Sequence, residues 1–331
     1  MTDSAAPAPT PGPDTADAPS MHRGQLTIDA STVLALLADQ FPQLETGAGE
    51  RVTRVRASGT VNAIFRIGDA HAARFPLVVA DPDASLVALR AEAESAREFA
   101  SVVSVPSTET LGIGMPGHGY PGPWSVGTWL PGSVATPHGL ADSAGFALDV
   151  AALLLQLRAA PVGARRFTGG GRGGDLRDHD AWLQECFQRS AGILDLPPLR
   201  EAWARFRSLP RRDADAMSHK DLIPANLLTT DARLTGVLDT GGFGPADPAL
   251  DLVVAWHVFD PAARAVLRDA LRRPLDSAAD ERLRWQRGAA WAFVQAMGLP
   301  WYYRDSNPAM AQLGLSTLER IADSGIAQGS S

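Results

Sequence analysis

Of the 30 basic residues in this 331-residue chain only one, Lys220, is lysine; the others are arginine. Cysteine is equally scarce, with Cys186 alone. A single thiol excludes an internal disulfide framework and any cysteine-rich zinc site. Positive charge is in deficit, since 37 acidic residues against 30 basic ones give a net charge of −7. That balance argues against nucleic acid as a partner, because neutralising a phosphate backbone needs a basic surface; it leaves room for a local nucleotide site. Long apolar runs are missing too. The most apolar stretch, Ala144 to Leu157, covers 14 residues and includes Asp149 and Gln156, too short and too polar to span a bilayer. The first twenty residues hold five Pro, five Ala and three Asp, with no basic or aromatic side chain. Such a composition buries too little apolar surface to offset its ordering entropy, so residues 1–23 are expected to form a disordered tail. The segment also lacks the positive start and apolar stretch of a signal peptide. These features predict a cytoplasmic protein with no membrane partner.

The remaining composition, 45% apolar and 20% charged, suits a globular protein of one large or two medium domains. A helix is expected within 26–44, with Asp29 or Ser31 as N-cap. The period then changes to alternation at Arg51–Ala57, 61–67 and 72–78, which predicts strands. A helix over about 85–100 and short strands at 108–114 and 124–130 complete an N-terminal antiparallel sheet with one inserted helix. Pro131-Gly132 marks a boundary. Beyond it helices are expected at 139–158, 176–191, 198–207, 249–258, 261–271, 278–297 and 308–323. A small hairpin, Asn226–Leu228 and Leu234–Leu238, interrupts them. The predicted organisation is a nucleotide-binding lobe with hinge over 24–130 and a helical lobe over 131–331, with a ligand held between them.

The chemistry concentrates in His219-Lys-Asp221-Leu-Ile-Pro-Ala-Asn226 and Leu238-Asp239-Thr240-Gly241. Phosphoryl transfer needs a carboxylate near the attacking hydroxyl, oxygen ligands for Mg²⁺, a cation on the nucleotide phosphates, and alignment. Asp221 and Asn226 are five residues apart, the spacing of a kinase catalytic Asp and its metal-binding Asn. Asp239 ends the next apolar run, where a hairpin would return it close to Asn226. Such oxygen ligands suit hard Mg²⁺.

With Val237-Leu-Asp239, Ala246-Asp247-Pro-Ala-Leu-Asp251, Ser58-Gly-Thr-Val-Asn62 and Tyr120-Pro-Gly-Pro-Trp-Ser125 added, the chain resembles the aminoglycoside phosphotransferase family, from about Val52 to Ile321. The resemblance implies an α+β, bilobal protein-kinase-like fold. It gives Asp221 the substrate hydroxyl, and Asn226 and Asp239 the Mg²⁺. Arg74 would meet the nucleotide phosphates, with Glu92 or Glu94 as its partner. Those glutamates are two residues apart on a helix, so only one faces Arg74. Residues Ser58, Gly59 and Asn62 would cover the phosphates of ATP or GTP. The backbone at Ser125, Val126 and Thr128 would receive the purine. Asp251 would brace the catalytic loop. The sequence departs from the family at four places. Lys220 and Ala246 stand where glycine is usual, Thr240 replaces an aromatic residue, and no lysine occupies the third strand.

Other readings of these residues are weaker. His219 has no histidine partner at ligand spacing, so a structural hydrogen bond is expected. Asp239-Thr-Gly is also the aspartic-protease tripeptide, but its only counterpart, Asp323-Ser-Gly, lies in a polar tail. Gly169–Gly174 contains a Gly-x-Gly-x-x-Gly pattern with no strand before it. A flexible loop near the cleft is expected there; Arg165, Arg166 and Arg172 could approach a phosphate from it, with a solvated loop as the default reading. Trp291, Trp301, Tyr302 and Tyr303 read first as core packing; exposed in the cleft, Trp301, Tyr302 and Tyr303 would stack on an acceptor and Asp305 would accept its hydrogen bonds. Cys186 reads as a small packed side chain.

The combined expectation is a Mg²⁺-dependent transfer of the γ-phosphoryl of ATP or GTP to a hydroxyl of a small-molecule antibiotic. Tuberactinomycin-type and capuramycin-type self-resistance kinases are among the relatives it brings to mind. No dense acidic patch marks the acceptor half, so an acceptor less cationic than an aminoglycoside fits at least as well. Two alternatives stand beside it: a kinase of a hydroxylated primary metabolite, and a nucleotide-binding pseudokinase acting as a regulatory module.

Overall fold

The computed structural model describes residues 25–44, 51–55, 61–169, 171–273 and 276–328. The expected tail, Ser58 and Gly59 lie outside them. The first helix, α1 (Ala30–Gln40), starts where Asp29 accepts from the Thr32 amide at 2.8 Å. Five strands follow in an antiparallel sheet: β1 (Val52–Arg54), β2 (Asn62–Ile67), β3 (His71–Pro76), β4 (Thr110–Gly114) and β5 (Trp124–Thr128). Their order is β1-β2-β3-β5-β4. The alternation read from the sequence decides which face is covered. Ala63, Phe65, Ile67, Ala73, Phe75, Trp124 and Val126 are buried, with Val33, Leu36 and Leu37 of α1 in the same cluster. Arg74 pairs in register with Ser125 and Ile64, so these three side chains share the opposite face.

Between β3 and β4 runs α2 (Pro82–Val102), capped by Asp81. Its buried Phe99 does not join the sheet's cluster. It belongs to the core of the large lobe, edge-on to the rings of His219 and Phe243 at 5.7 and 5.4 Å. Arg165 grips Glu98 with two hydrogen bonds of 2.7 and 2.8 Å. The hydrophobic clusters therefore do not divide at residue 130.

The large lobe is built on α3 (Pro137–Leu140), α4 (Ala144–Ala159), α5 (Asp180–Arg189), α6 (Leu196–Phe206), α7 (Val253–His257), α8 (Pro261–Ala270), α9 (Ala278–Ala296), α10 (Leu299–Tyr302) and α11 (Pro308–Asp323). Into it are set a three-stranded sheet, β6 (Ser133–Val134), β8 (Leu227–Thr230) and β9 (Arg233–Val237), and a ribbon of β7 (Ala216–Ser218) and β10 (Gly244–Ala246). The hairpin β8–β9 was legible as an apolar repeat. The two- and three-residue strands β6, β7 and β10 were not, because so short a segment shows no period. The helix expected at 249–258 is instead a tight turn, Leu250–Leu252, followed by α7. Among the described residues no helix is long and apolar enough to cross a membrane.

Candidate active site

The loop from Ser218 to Asn226 hangs on one buried carboxylate. Asp251 accepts from Ser218 Oγ at 2.9 Å, from the His219 amide at 3.1 Å and from the Lys220 amide at 3.2 Å. Burial pushes its carboxyl above the ordinary range, while the His219 ring opposes that shift. His219 is structural: Leu238 O lies 2.9 Å from its Nε2, and its Nδ1 accepts from the Asp221 amide at 3.3 Å. Lys220 takes φ of +69°, the left-handed region. That explains why glycine suits this position in the family.

The pairing of Leu227 with Val237 brings the ends of the two strands together. Leu238 N donates to Asn226 O at 2.8 Å, so Asp239 emerges beside Asn226. Asn226 commits its Nδ2 to Asp221 O at 2.8 Å. The oxygens of Asn226 and Asp239 form a hard but sparse donor set. Among the described residues no cluster of three acidic, His or Cys groups offers a complete cation cage. That fits Mg²⁺, which binds through one or two protein groups and completes its shell with water and phosphate.

Arg74 Nη2 donates to Asp239 Oδ1 at 2.9 Å. The expected partner of Arg74 was Glu92 or Glu94, and here the structure differs. Glu92 lies against the Asp239 turn, where a Cβ on Gly241 would sit 2.9 Å from its own Cβ. Burial raises its carboxyl pKa, Arg74 pulls it down and Asp239 pushes it up. Glu92 thus feels both charges without forming the ion pair, while Glu94 is exposed on the helix.

The purine assignment needs correcting. Ser125, Val126 and Thr128 lie in β5, an interior strand laddered to β3 on one side and β4 on the other. Their backbone groups are engaged, and the Val126 side chain is buried in the sheet's core. The chain leaves the sheet only at Trp129, whose amide donates to Ala70 O at 2.7 Å. The free connection between the lobes is therefore Trp129–Gly132. Asn62 opens β2 opposite Pro76, on the strand that pairs with Arg74's own.

Trp301 packs on Trp182 of α5 and under the Arg189 guanidinium, with Tyr302 and then Tyr303 edge-on behind it. This cluster covers α5 with Trp301 and Tyr303 half-buried and Tyr302 exposed. Asp305 is exposed in the following turn. Trp291 is fully buried, donating to Asp247 at 2.9 Å.

Two residues at Asp221 were not anticipated. Arg172 Nη2 and Gln295 Nε2 both donate to Asp221 Oδ1, each at 2.7 Å. The expectation that Arg172 sits in solvent is overturned, because the glycine loop carries it inward. Gln295 is held by His257 at 2.8 Å, which in turn meets Thr317 at 2.8 Å. The sequence held a faint signal for both histidine and glutamine, single polar residues in the apolar runs Val253–Phe259 and Ala289–Met297. Beside the same glycine loop opens a cavity of about 790 Å³, lined by Phe167, Gly174, Arg177, Arg207 and Arg287 among others.

The profile of the phosphotransferase enzyme family matches residues 52–287. No curated protein matched the chain. Among solved structures, a GDP complex of an aminoglycoside 2'-phosphotransferase-IIIa mutant is similar at 19% identity, over 91% of this chain and 100% of that one, with a TM-score of 0.67. The GDP and kanamycin complex of APH(2")-IIIa follows at 18%, over 88% and 98%, with a TM-score of 0.66. The macrolide 2'-phosphotransferase MphH from Brachybacterium faecium is similar at 19%, over 87% and 97%, with a TM-score of 0.55. The likeness to these structures is one of fold, and the profile covers most of the chain with the Asp221–Asp239 segment inside it. The chain belongs to the phosphotransferase enzyme family, the antibiotic-kinase family its motifs resemble.

Proposed function

We propose that the protein transfers the γ-phosphoryl group of ATP or GTP to a hydroxyl of a small-molecule antibiotic. The observation that carries this reading is the convergence of Asp221, Asn226, Asp239 and Arg74 at one junction, joined by hydrogen bonds. Asp221 would accept the hydroxyl proton on Oδ2, since Oδ1 already receives two donors at 2.7 Å while Oδ2 has only Asn226 Nδ2 at 3.4 Å. Asn226 and Asp239 would hold Mg²⁺, which when bound neutralises charge on the β- and γ-phosphates. Arg74 would exchange its contact with Asp239 for a nucleotide phosphate, a role its two-pronged donor set suits. Similar proteins solved as a GDP complex and as a GDP and kanamycin complex support a nucleotide and an antibiotic as the ligands. Resistance would follow from the modified hydroxyl.

The test is turnover of Mg²⁺·ATP and Mg²⁺·GTP against an antibiotic panel, read as a mass gain of one phosphate. The panel spans aminoglycosides, macrolides, tuberactinomycin-type peptides and capuramycin-type nucleosides. Asp221→Asn should lower kcat by about 10²–10⁴-fold and leave nucleotide affinity within roughly threefold. Full activity in that variant removes Asp221 from the mechanism. Nucleotide binding with no turnover on any acceptor supports the regulatory pseudokinase instead.

A further inference from the structure

Arg172 is the one large side chain in the run Gly169–Gly174, and the fold spends several contacts on placing it. Gly171 and Gly173 on either side take φ of +88° and +121°. The Gly173 carbonyl accepts from the Asp247 amide at 2.8 Å. Asp247 is itself locked in the core by Arg287, at 2.6 and 2.8 Å. A Cβ on Gly173 would come within 2.8 Å of the Ala246 Cβ. Gly173 thus anchors Arg172 to the Ala246–Asp247 segment, and Arg172 presents its guanidinium to Asp221.

We propose that Arg172 is a catalytic residue that carries positive charge to the transferred phosphoryl group from the acceptor side. The proposal rests on the phosphotransferase reading above. Three observations support it. Arg172 donates to Asp221 Oδ1, the oxygen that Gln295 also holds, which leaves Oδ2, met only by Asn226 Nδ2 at 3.4 Å, for the acceptor hydroxyl. The guanidinium of Arg172 keeps a buried Nε–H without a partner among the described residues. A buried donor of that kind calls for an acceptor. Two other cations near the loop lie elsewhere: Arg74 is paired with Asp239, and the Lys220 ammonium packs beside Gly244, 3.0 Å from where a Cβ on that glycine would sit.

The charge balance of the reaction gives Arg172 its task. The acceptor O–H proton passes to Asp221 Oδ2 as the acceptor oxygen forms its bond to Pγ. The bond from Pγ to the β,γ-bridging oxygen breaks, and its electron pair leaves with the nucleoside diphosphate. Before the proton moves, the Asp221 carboxylate faces a γ-phosphate of the same sign. A planar guanidinium with five donors can hold Asp221 with one and meet a phosphoryl oxygen with others. An arginine supplied within the same chain is a general device for phosphoryl-transfer charge.

The test needs no identified acceptor, because water serves as one. Mg²⁺-dependent hydrolysis of ATP and GTP is measured for the wild type, Arg172→Ala and Arg172→Lys. The expected result for Arg172→Ala is a kcat loss of roughly 100-fold with nucleotide KM within threefold. Arg172→Lys should recover part of the loss, and millimolar guanidinium should restore turnover to the alanine variant, which a packing role would not allow. In parallel, calorimetry compares ADP binding with and without aluminium fluoride as a phosphoryl mimic. Arg172→Ala should bind ADP as the wild type does, showing that it is folded, and should lose the gain from the mimic. Wild-type hydrolysis unchanged within threefold in Arg172→Ala overturns the proposal alone. ADP binding without turnover in the wild type overturns the phosphotransferase reading and the proposal with it.

Discussion

Lys220 illustrates how backbone conformation, rather than charge, decides what a position tolerates. Its φ of +69° puts it in the left-handed region, which costs an L-residue roughly 1–2 kcal/mol. Burial lowers the pKa of its ammonium, with Asp251 and Asp215 opposing. Lys220→Gly removes the backbone strain together with a half-buried stem, and should fold and turn over nucleotide like the wild type. Lys220→Val demands the same φ of a β-branched residue and should lose at least 1–2 kcal/mol. Urea midpoints of the two variants read this difference directly. At this scale the sequence was partly legible. Asp221, Asn226 and Asp239 stood out because Mg²⁺ chemistry restricts residue type and spacing together. Arg172 stood out only as one of three arginines that could approach a phosphate, not as a partner of Asp221. Its approach to Asp221 depends on how the Gly171–Gly173 backbone turns, and composition does not record that turn.

Among the elements, α7, α9 and α11 are pinned to one another through a single imidazole. His257 sits on α7, its Nε2 on Gln295 of α9 and its Nδ1 on Thr317 of α11, both at 2.8 Å. Full burial holds its pKa down at about 4, against 6.5 for a free imidazole. The sign of the consequence is fixed by linkage. Below pH 6.5 the unfolded chain gains a proton at His257 that the folded chain refuses, so stability falls as pH falls. Between pH 6.5 and 5 this amounts to about 2 kcal/mol. Denaturant unfolding at pH 7 and pH 5 should show that loss in the wild type, and His257→Gln should lack it. A pH slope unchanged by the substitution removes His257 as its source. The longer helices were readable because their apolar residues recur over about three turns or more, while the four- and five-residue α3, α7 and α10 show no such period. The strand expected to receive the purine lies inside the sheet, since a strand's period shows that it is a strand and not which neighbours it has. That β5 lies inside the sheet follows from a crossover through α2, a matter of topology rather than of local sequence.

For the molecule as a whole, α2 is the element that sequence order misassigns. It follows the sheet's third strand, yet its Phe99 is fully buried in the large-lobe core and its Glu98 is clamped by Arg165. Phe99→Ala should cost roughly 3–5 kcal/mol, as deletion of a buried ring does. Hydrogen exchange should rise in α2 and in the catalytic loop around His219, while the amides that pair β2 with β3 keep their protection. Equal loss of protection in the sheet would place Phe99 in the sheet's cooperative unit instead.

The scarcity of lysine has a practical meaning at the same scale. A protease that cuts after lysine finds one peptide bond in the whole chain, Lys220–Asp221, and that bond lies within the Ser218–Asn226 loop. The Lys220 amide is tied to the buried Asp251, so the bond is accessible only when the loop lifts away. The rate at which two fragments appear is therefore an unlabelled clock for opening at the reaction centre. Any nucleotide or acceptor that steadies the loop slows that clock, whatever its chemical name.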